Sequence, residues 1–116
     1  MKRIIVTDDE PMNLRMAEFL LRKNGYDVVL ADSGKDCLEK LAGGADLVLL
    51  DILMPGMDGF QTCQMIRDSY PDIPVIFLTA AEGSNIIEKG LEMGCDCISK
   101  PFLPEVLLSA VKKRIG

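Results

Sequence analysis

The stretch Leu47-Val48-Leu49-Leu50-Asp51-Ile52-Leu53-Met54-Pro55-Gly56-Met57-Asp58-Gly59 decides the fold. Four consecutive aliphatic residues at 47–50 leave no polar face, so the strand they form must be covered on both sides. Asp51 closes that strand and Ile52-Leu53-Met54 follow it. A carboxylate inside an apolar run is costly unless it is paired. Asp58, with Gln61 three residues later, is a capping pair that opens a helix running to about Asp68.

Outward from this stretch, short apolar runs alternate with longer periodic ones. Residues 3–7 and 27–31 read as strands, residues 74–80 as a strand apolar throughout, and residues 97–99 as a short last strand. Between them lie helical patterns. Residues 11–23 carry Leu14, Ala17 and Leu21 on one face, with Met16 and Leu20 beside it. Pro11 suits the first turn of that helix and Gly25 the position just past its end. Ser33 can cap a helix that reaches about Leu41 and stops at Gly43-Gly44. A further helix sets Ile87, Gly90 and Leu91 at helical spacing and stops at Gly94. Pro104 opens the last one, with Leu107, Leu108, Val111 and Ile115 inward and Lys112, Lys113 and Arg114 against the dipole of its final turn. The order is β-α five times, an α/β class with a parallel sheet between two layers of helices.

The chain has 116 residues, which is one domain over 1–116 without repeats, low-complexity tracts or linkers. Such a chain should have a radius of gyration of about 13 Å and bury roughly two thirds of its unfolded surface. Hydrophobic residues make up 48% and charged residues 27%, which excludes a disordered chain. The net charge of −5 and the 5% aromatic content speak against direct nucleic-acid binding. The absence of His removes the commonest general base and metal ligand, leaving carboxylates, hydroxyls, Lys and Cys for any chemistry. No apolar run approaches the ~20 residues of a membrane span, and the apolar stretch behind Lys2-Arg3 is too short for a signal peptide. The four Cys, at 37, 63, 95 and 97, read as reduced thiols of a cytoplasmic protein. Cys95-Asp96-Cys97 reads as two residues on one strand face rather than half a metal site.

In sheets of this class, ligands bind beyond the carboxyl ends of the strands. The first strand ends in Asp8-Asp9-Glu10, the third in Asp51, the fourth in Thr79 and the fifth in Lys100-Pro101. Each alone has an ordinary explanation: helix capping by the acids, a β-former at 79, a solvated lysine at 100. Together they put acids, a hydroxyl and an amine from distant stretches at one edge of the sheet. Two carboxylates ~4 Å apart repel by about 4 kcal/mol at an effective dielectric of about 20, so the cluster calls for cations. Lys100 supplies one charge. All-oxygen ligands select a hard dication for the rest, Mg2+ above all. A metal, a hydroxyl and an ammonium around a carboxylate are the equipment of phosphoryl transfer, with Asp51 best placed as nucleophile.

The motifs Ile4-Ile5-Val6-Thr7-Asp8-Asp9, Leu49 through Gly59, Phe77-Leu78-Thr79-Ala80 and Lys100-Pro101-Phe102 occur in this order across nearly the whole chain. The set resembles the receiver domain of response regulators in two-component signalling. That resemblance implies a five-stranded, flavodoxin-like doubly wound sheet of order 2-1-3-4-5. It implies Asp51 as phosphoacceptor, Mg2+ bound directly by Asp9, Asp51 and the backbone carbonyl of Leu53, and Asp8 acting through water. It implies Thr79 and Lys100 on the phosphoryl group and a cis Lys100-Pro101 bond. Its partners would be a histidine kinase or histidine phosphotransfer protein and a downstream effector or attached output domain, and its role would be signalling rather than turnover catalysis. The chain departs from the pattern at Cys97, where the family usually carries an aromatic switch residue. Leu53 and Ala81 would flank the acyl phosphate without orienting water, so the phosphorylated form should be long-lived. Met12 and Met16 would contact the phosphodonor, unless Met16 packs inward beside Leu20.

Two other classes fit less well. An Asp-nucleophile phosphatase usually needs a second Asp two residues after the nucleophile, where this chain has Leu53. A flavodoxin-like flavin carrier needs a hydroxyl- and Gly-rich phosphate loop, whereas Asp8-Asp9-Glu10 would repel a phosphate.

Overall fold

A computed structural model of the chain describes residues 1–79, 84–100 and 102–116, without the side chains of residues 84–87. Among them are five strands, β1 (Arg3–Thr7), β2 (Asp27–Ala31), β3 (Leu47–Asp51), β4 (Val75–Thr79) and β5 (Asp96–Ser99). They alternate with helices α1 (Pro11–Lys23), α2 (Gly34–Leu41), α3 (Gly59–Ser69), α4 (Ser84–Glu92) and α5 (Pro104–Ile115). All neighbouring strands are parallel, in the order β2-β1-β3-β4-β5. The topology is the doubly wound one expected, and the Cα radius of gyration is 12.6 Å.

Side-chain alternation along the strands divides the core into two layers. Ile4 and Val6 of β1, Leu47 and Leu49 of β3 and Ile76 and Leu78 of β4 pack against Ala17 and Leu21 of α1 and Leu107 and Val111 of α5. Ile5, Val48, Leu50 and Phe77 point the other way, onto Cys37 and Leu41 of α2 and Cys63 and Ile66 of α3. Every residue of β3 and β4 is buried. The unbroken aliphatic run at 47–50 therefore reflects the middle of a sheet covered on both faces.

Local signals set the element ends. Ser33 accepts the Asp36 N–H, and Asp58 with Gln61 forms the expected capping box. Pro11 and Pro104 stand in the first turns of their helices. Gly25 and Gly94 adopt φ of +89° and +76°, the left-handed backbone that ends a helix most cheaply with glycine.

Several boundaries differ from the sequence reading. β4 begins at Val75 rather than Pro74, which has no N–H for the ladder, although its carbonyl accepts from Val48. β5 begins at Asp96, which pairs with Ile76 and is held by Arg114 at 3.0 Å. Leu91 is 58% exposed and lies off the buried face of α4, where Gly90 makes the close contact. Leu108 and Ile115 are only partly buried against the core. Met16 is 47% exposed, so it does not pack inward beside Leu20. Ala80, Ala81 and Pro101 lie outside the described residues, as does the side chain of Ile87, so the conformation expected for the Lys100-Pro101 bond falls there too.

One glycine ties the fold to the end of β3. A Cβ on Gly59 would stand 2.5 Å from the Asp51 carbonyl oxygen and 2.6 Å from Ile52 Cα, while the Gly59 N–H donates to the Ile52 carbonyl at 2.8 Å. The contact is with backbone, so no side chain can yield. Gly59→Ala should destabilise the domain by about 1–3 kcal/mol, read as a lower urea midpoint at unchanged slope.

Candidate functional site

The register of the central strands places the acids. Thr7 pairs with Leu50 and Asp51 with Leu78, so Asp8, Asp51 and Thr79 all fall at the carboxyl edge of the sheet. The Asp8 N–H donates to the Ala31 carbonyl at 3.1 Å, which extends the β1–β2 pairing by one residue and turns the Asp8 carboxylate over the edge. The Lys100 N–H donates to the Thr79 carbonyl at 2.7 Å. The ammonium-bearing residue is thereby anchored to the strand that carries the hydroxyl.

Three charges meet at short range. Lys100 Nζ donates to Asp8 Oδ2 at 2.9 Å and lies 3.2 Å from Asp51 Oδ1. Asp8 is fully buried and Asp51 is 3% exposed, while Asp9 is exposed. The other oxygen of Asp8 accepts the Glu10 N–H at 2.9 Å. This arrangement excludes helix capping as the reason for the acids. Glu10 is the N-cap of α1 and makes no side-chain cap bond, and the Asp8 carboxylate is used by Lys100 instead.

Asp51 carries the electrostatic tension of the site. Burial first, and the charge of Asp8 second, push its carboxyl up to about 6, against the opposing pull of Lys100. Lys100 is raised as well, which in its case favours the charged form. Burial works against its charge, but the hydrogen bond to Asp8 and the charge of Asp51 outweigh that and raise it.

The donor set fits a hard dication. Asp8, Asp9 and Asp51 each offer a carboxylate oxygen, and these oxygens lie within 4.8 Å of one another. All are oxygen ligands with a half-solvated approach through Asp9, the combination Mg2+ prefers. Leu53 lies in the loop after β3 with its side chain 56% exposed. Thr79 is buried at the end of β4. The structure thus brings Asp8, Asp9, Asp51 and Lys100 into one cluster, with Thr79 on the adjacent strand end. The sequence reading did not single out Gly59, which packs under the Asp51 carbonyl; its place directly after the Asp58 cap was the available signal. At 97, where an aromatic was expected by resemblance, Cys97 is half-buried, and its sulfur lies 2.6 Å from where a Cβ on Gly90 would be.

A family model described as response regulator receiver domain matches residues 4–112. The chain is similar to the chemotaxis protein CheY4 of Vibrio cholerae, with 28% identity, TM-score 0.91 and 99% of each chain covered. It is similar to the BeF3-activated DrrB receiver domain, with 34% identity, TM-score 0.91, and 99% of this chain and 97% of that one covered. The N-terminal domain of a response regulator/sensory box/GGDEF three-domain protein of Carboxydothermus hydrogenoformans matches at 33% identity and TM-score 0.86, covering 97% of this chain and 93% of that one.

The raised Asp51 carboxyl has a consequence for stability. Its folded value of about 6 lies above the ordinary 3.8, so the folded chain takes up this proton more readily than the unfolded one. Asp51 therefore stabilises the fold as pH falls from about 6 towards 4, and its ionised form costs stability above that window. In magnesium-free buffer, Asp51→Asn should be about 1–3 kcal/mol more stable than the parent at pH 7 and equal to it near pH 4. Paired thermal melts measure this difference. A difference that does not change between pH 4 and pH 7 would contradict the assignment.

Proposed function

The chain belongs to the response regulator receiver domain family, and from that premise we propose that residues 1–116 form one receiver domain in which Asp51 is the phosphoacceptor. The observation that carries this reading is the shared ammonium, with Lys100 Nζ 2.9 Å from Asp8 and 3.2 Å from Asp51. An ion pair of that kind leaves Asp51 ionised enough to attack, and holds a cation ready for the product.

In the proposed step, an Asp51 carboxylate oxygen attacks the phosphorus of a phosphohistidine on a sensor kinase or phosphotransfer protein. The oxygen–phosphorus bond forms as the nitrogen–phosphorus bond breaks, and the imidazole leaves. Bound Mg2+, held by Asp9, Asp51 and the Leu53 carbonyl directly and by Asp8 through water, would neutralise charge on the phosphoryl oxygens. Lys100 releases Asp51 and pairs with a phosphoryl oxygen, retaining Asp8 as its fixed partner. The Thr79 hydroxyl donates to another phosphoryl oxygen. Phosphorylation adds about −1.5 to −2 charge at this edge, and movement of Thr79 and Lys100 towards it would bias α4, β5 and α5 between two populated states. A downstream effector or output domain would read that face. Cys97 cannot act as a swinging aromatic, so the readout would run through Thr79 and its loop.

The donor would dock on the exposed side of α1 next to the acids, where Met12 is 69% and Met16 47% exposed. Leu53 and Ala81 are apolar and offer no group to align an attacking water, which supports a long-lived acyl phosphate.

Incubation with acetyl phosphate and Mg2+ should add one phosphoryl group by intact mass, and Asp51→Asn or a chelator should abolish the gain. The adduct should outlast seconds in the isolated chain; hydrolysis within seconds would refute the sheltering role of Leu53 and Ala81. Met12→Lys should slow transfer from a phosphohistidine protein by about fivefold, the ~1 kcal/mol of an interface side chain, and leave the acetyl phosphate rate unchanged. Equal slowing with both donors would remove α1 as the docking surface.

A further inference from the structure

In the core layer that also holds Phe77, two buried thiols face each other. Cys63 of α3 and Cys95, in the turn that leads into β5, have their sulfurs 3.9 Å apart, and both are at most 2% exposed. The Arg67 guanidinium, one turn beyond Cys63 on α3, donates to the Cys95 sulfur at 3.0 Å. Arg67 is half-buried. A partly buried guanidinium is best satisfied by an anionic or strongly accepting partner. Here the partner is a sulfur, and a neutral thiol is a weak acceptor.

We propose that Cys63 and Cys95 form a redox site, in which Cys95, as a thiolate paired with Arg67, reacts with a small peroxide and Cys63 resolves it to a reversible intramolecular disulfide. The Cys95 thiolate attacks one oxygen of hydrogen peroxide. An S–O bond forms, the O–O bond breaks, and sulfur loses two electrons to become a sulfenic acid; the departing hydroxide takes up from solvent the proton that Cys95 gave up on ionising, and leaves as water. The Cys63 sulfur then attacks the Cys95 sulfur. The S–S bond forms, the S–O bond breaks, and hydroxide leaves with the Cys63 proton as a second water. Two thiols and one peroxide become one disulfide and two waters, and a dithiol reductant reverses the reaction.

Geometry and electrostatics agree on which thiol does what. To bond, each sulfur needs to move by about 1 Å from the present separation, a side-chain adjustment. The hydrogen bond shared with Cys63, with burial opposing and the Arg67 charge adding to it, holds Cys95 down at about 6. The same pairing, together with burial, raises Cys63. Cys95 is then the attacking sulfur and Cys63 the one that keeps its proton until the second step. The other two cysteines are unsuited, since burial raises both Cys37 and Cys97. A bond between 63 and 95 would staple α3 to the turn before β5.

Hydrogen peroxide is added to the full chain, remaining thiols are alkylated in denaturant, and the peptides are mapped. The expected result is two alkylated cysteines, Cys37 and Cys97, with Cys63 bridged to Cys95, and recovery of all four thiols after dithiothreitol. Cys63→Ser should instead accumulate sulfenic acid at Cys95, trapped by dimedone. Arg67→Leu should slow oxidation at neutral pH about tenfold by lowering the thiolate fraction, while Arg67→Lys keeps most of the rate. Four free thiols after peroxide, a bridge to Cys37 or Cys97, or an Arg67→Leu rate equal to the parent would each overturn the proposal.

Discussion

The structure depends on one buried cation. Lys100 Nζ sits between the carboxylates of Asp8 and Asp51, with its own side chain only 11% exposed. Without it, two acids at the covered edge of the sheet would repel each other in a medium that screens poorly. With it, Asp8 is held tightly and Asp51 loosely, as the 2.9 and 3.2 Å separations record. The difference matters. Asp8 has a second bond, from the Glu10 N–H, and becomes a fixed anchor. Asp51 keeps its charge under tension, with burial and the Asp8 charge working against it.

Three distant segments must agree for that ion triplet to form. β1 delivers Asp8, β3 delivers Asp51, and β5 delivers Lys100 across β4 through the backbone bond to Thr79. A slip of one residue in any of these parallel pairings would turn the functional side chains to the other face. The apolar residues of β3 and β4, buried on both faces, make such a slip costly. Stability of the core and placement of the site are therefore the same constraint. Gly59 belongs to it as well, because α3 can begin hard against the Asp51 carbonyl only without a side chain there.

The packing around α4 and β5 is of a different kind. Gly90 lets α4 approach Phe77 and Cys97 closely, and Lys89 lies over the Phe60 ring at 4.5 Å, while Phe60 meets Phe77 edge-on at 5.3 Å. A soft thiol at 97 stands where an aromatic switch was expected by resemblance, with a glycine at 90 facing it. Among the described residues, Gly90 of α4 thus lies close to the Cys97 thiol of β5 and the Phe77 ring of β4, with the thiol pair of Cys63 and Cys95 in the same core layer.

Much of this was legible in the residues. The apolar run at 47–50, the Asp58–Gln61 capping pair and the helix-ending glycines determined the order of elements, because each is a local preference with a short reach. The ends of the strands also named Asp8, Asp9, Asp51, Thr79 and Lys100 as one group, since a parallel β-α order sends every strand end to the same edge. Tertiary structure alone decided that Asp8 and Asp51 are buried while Asp9 is not, which oxygen faces Lys100, that Met16 points outward, and that Cys95 faces Cys63 rather than acting with Cys97. Those outcomes depend on distances between elements far apart in the chain, and no local propensity encodes a distance across a sheet.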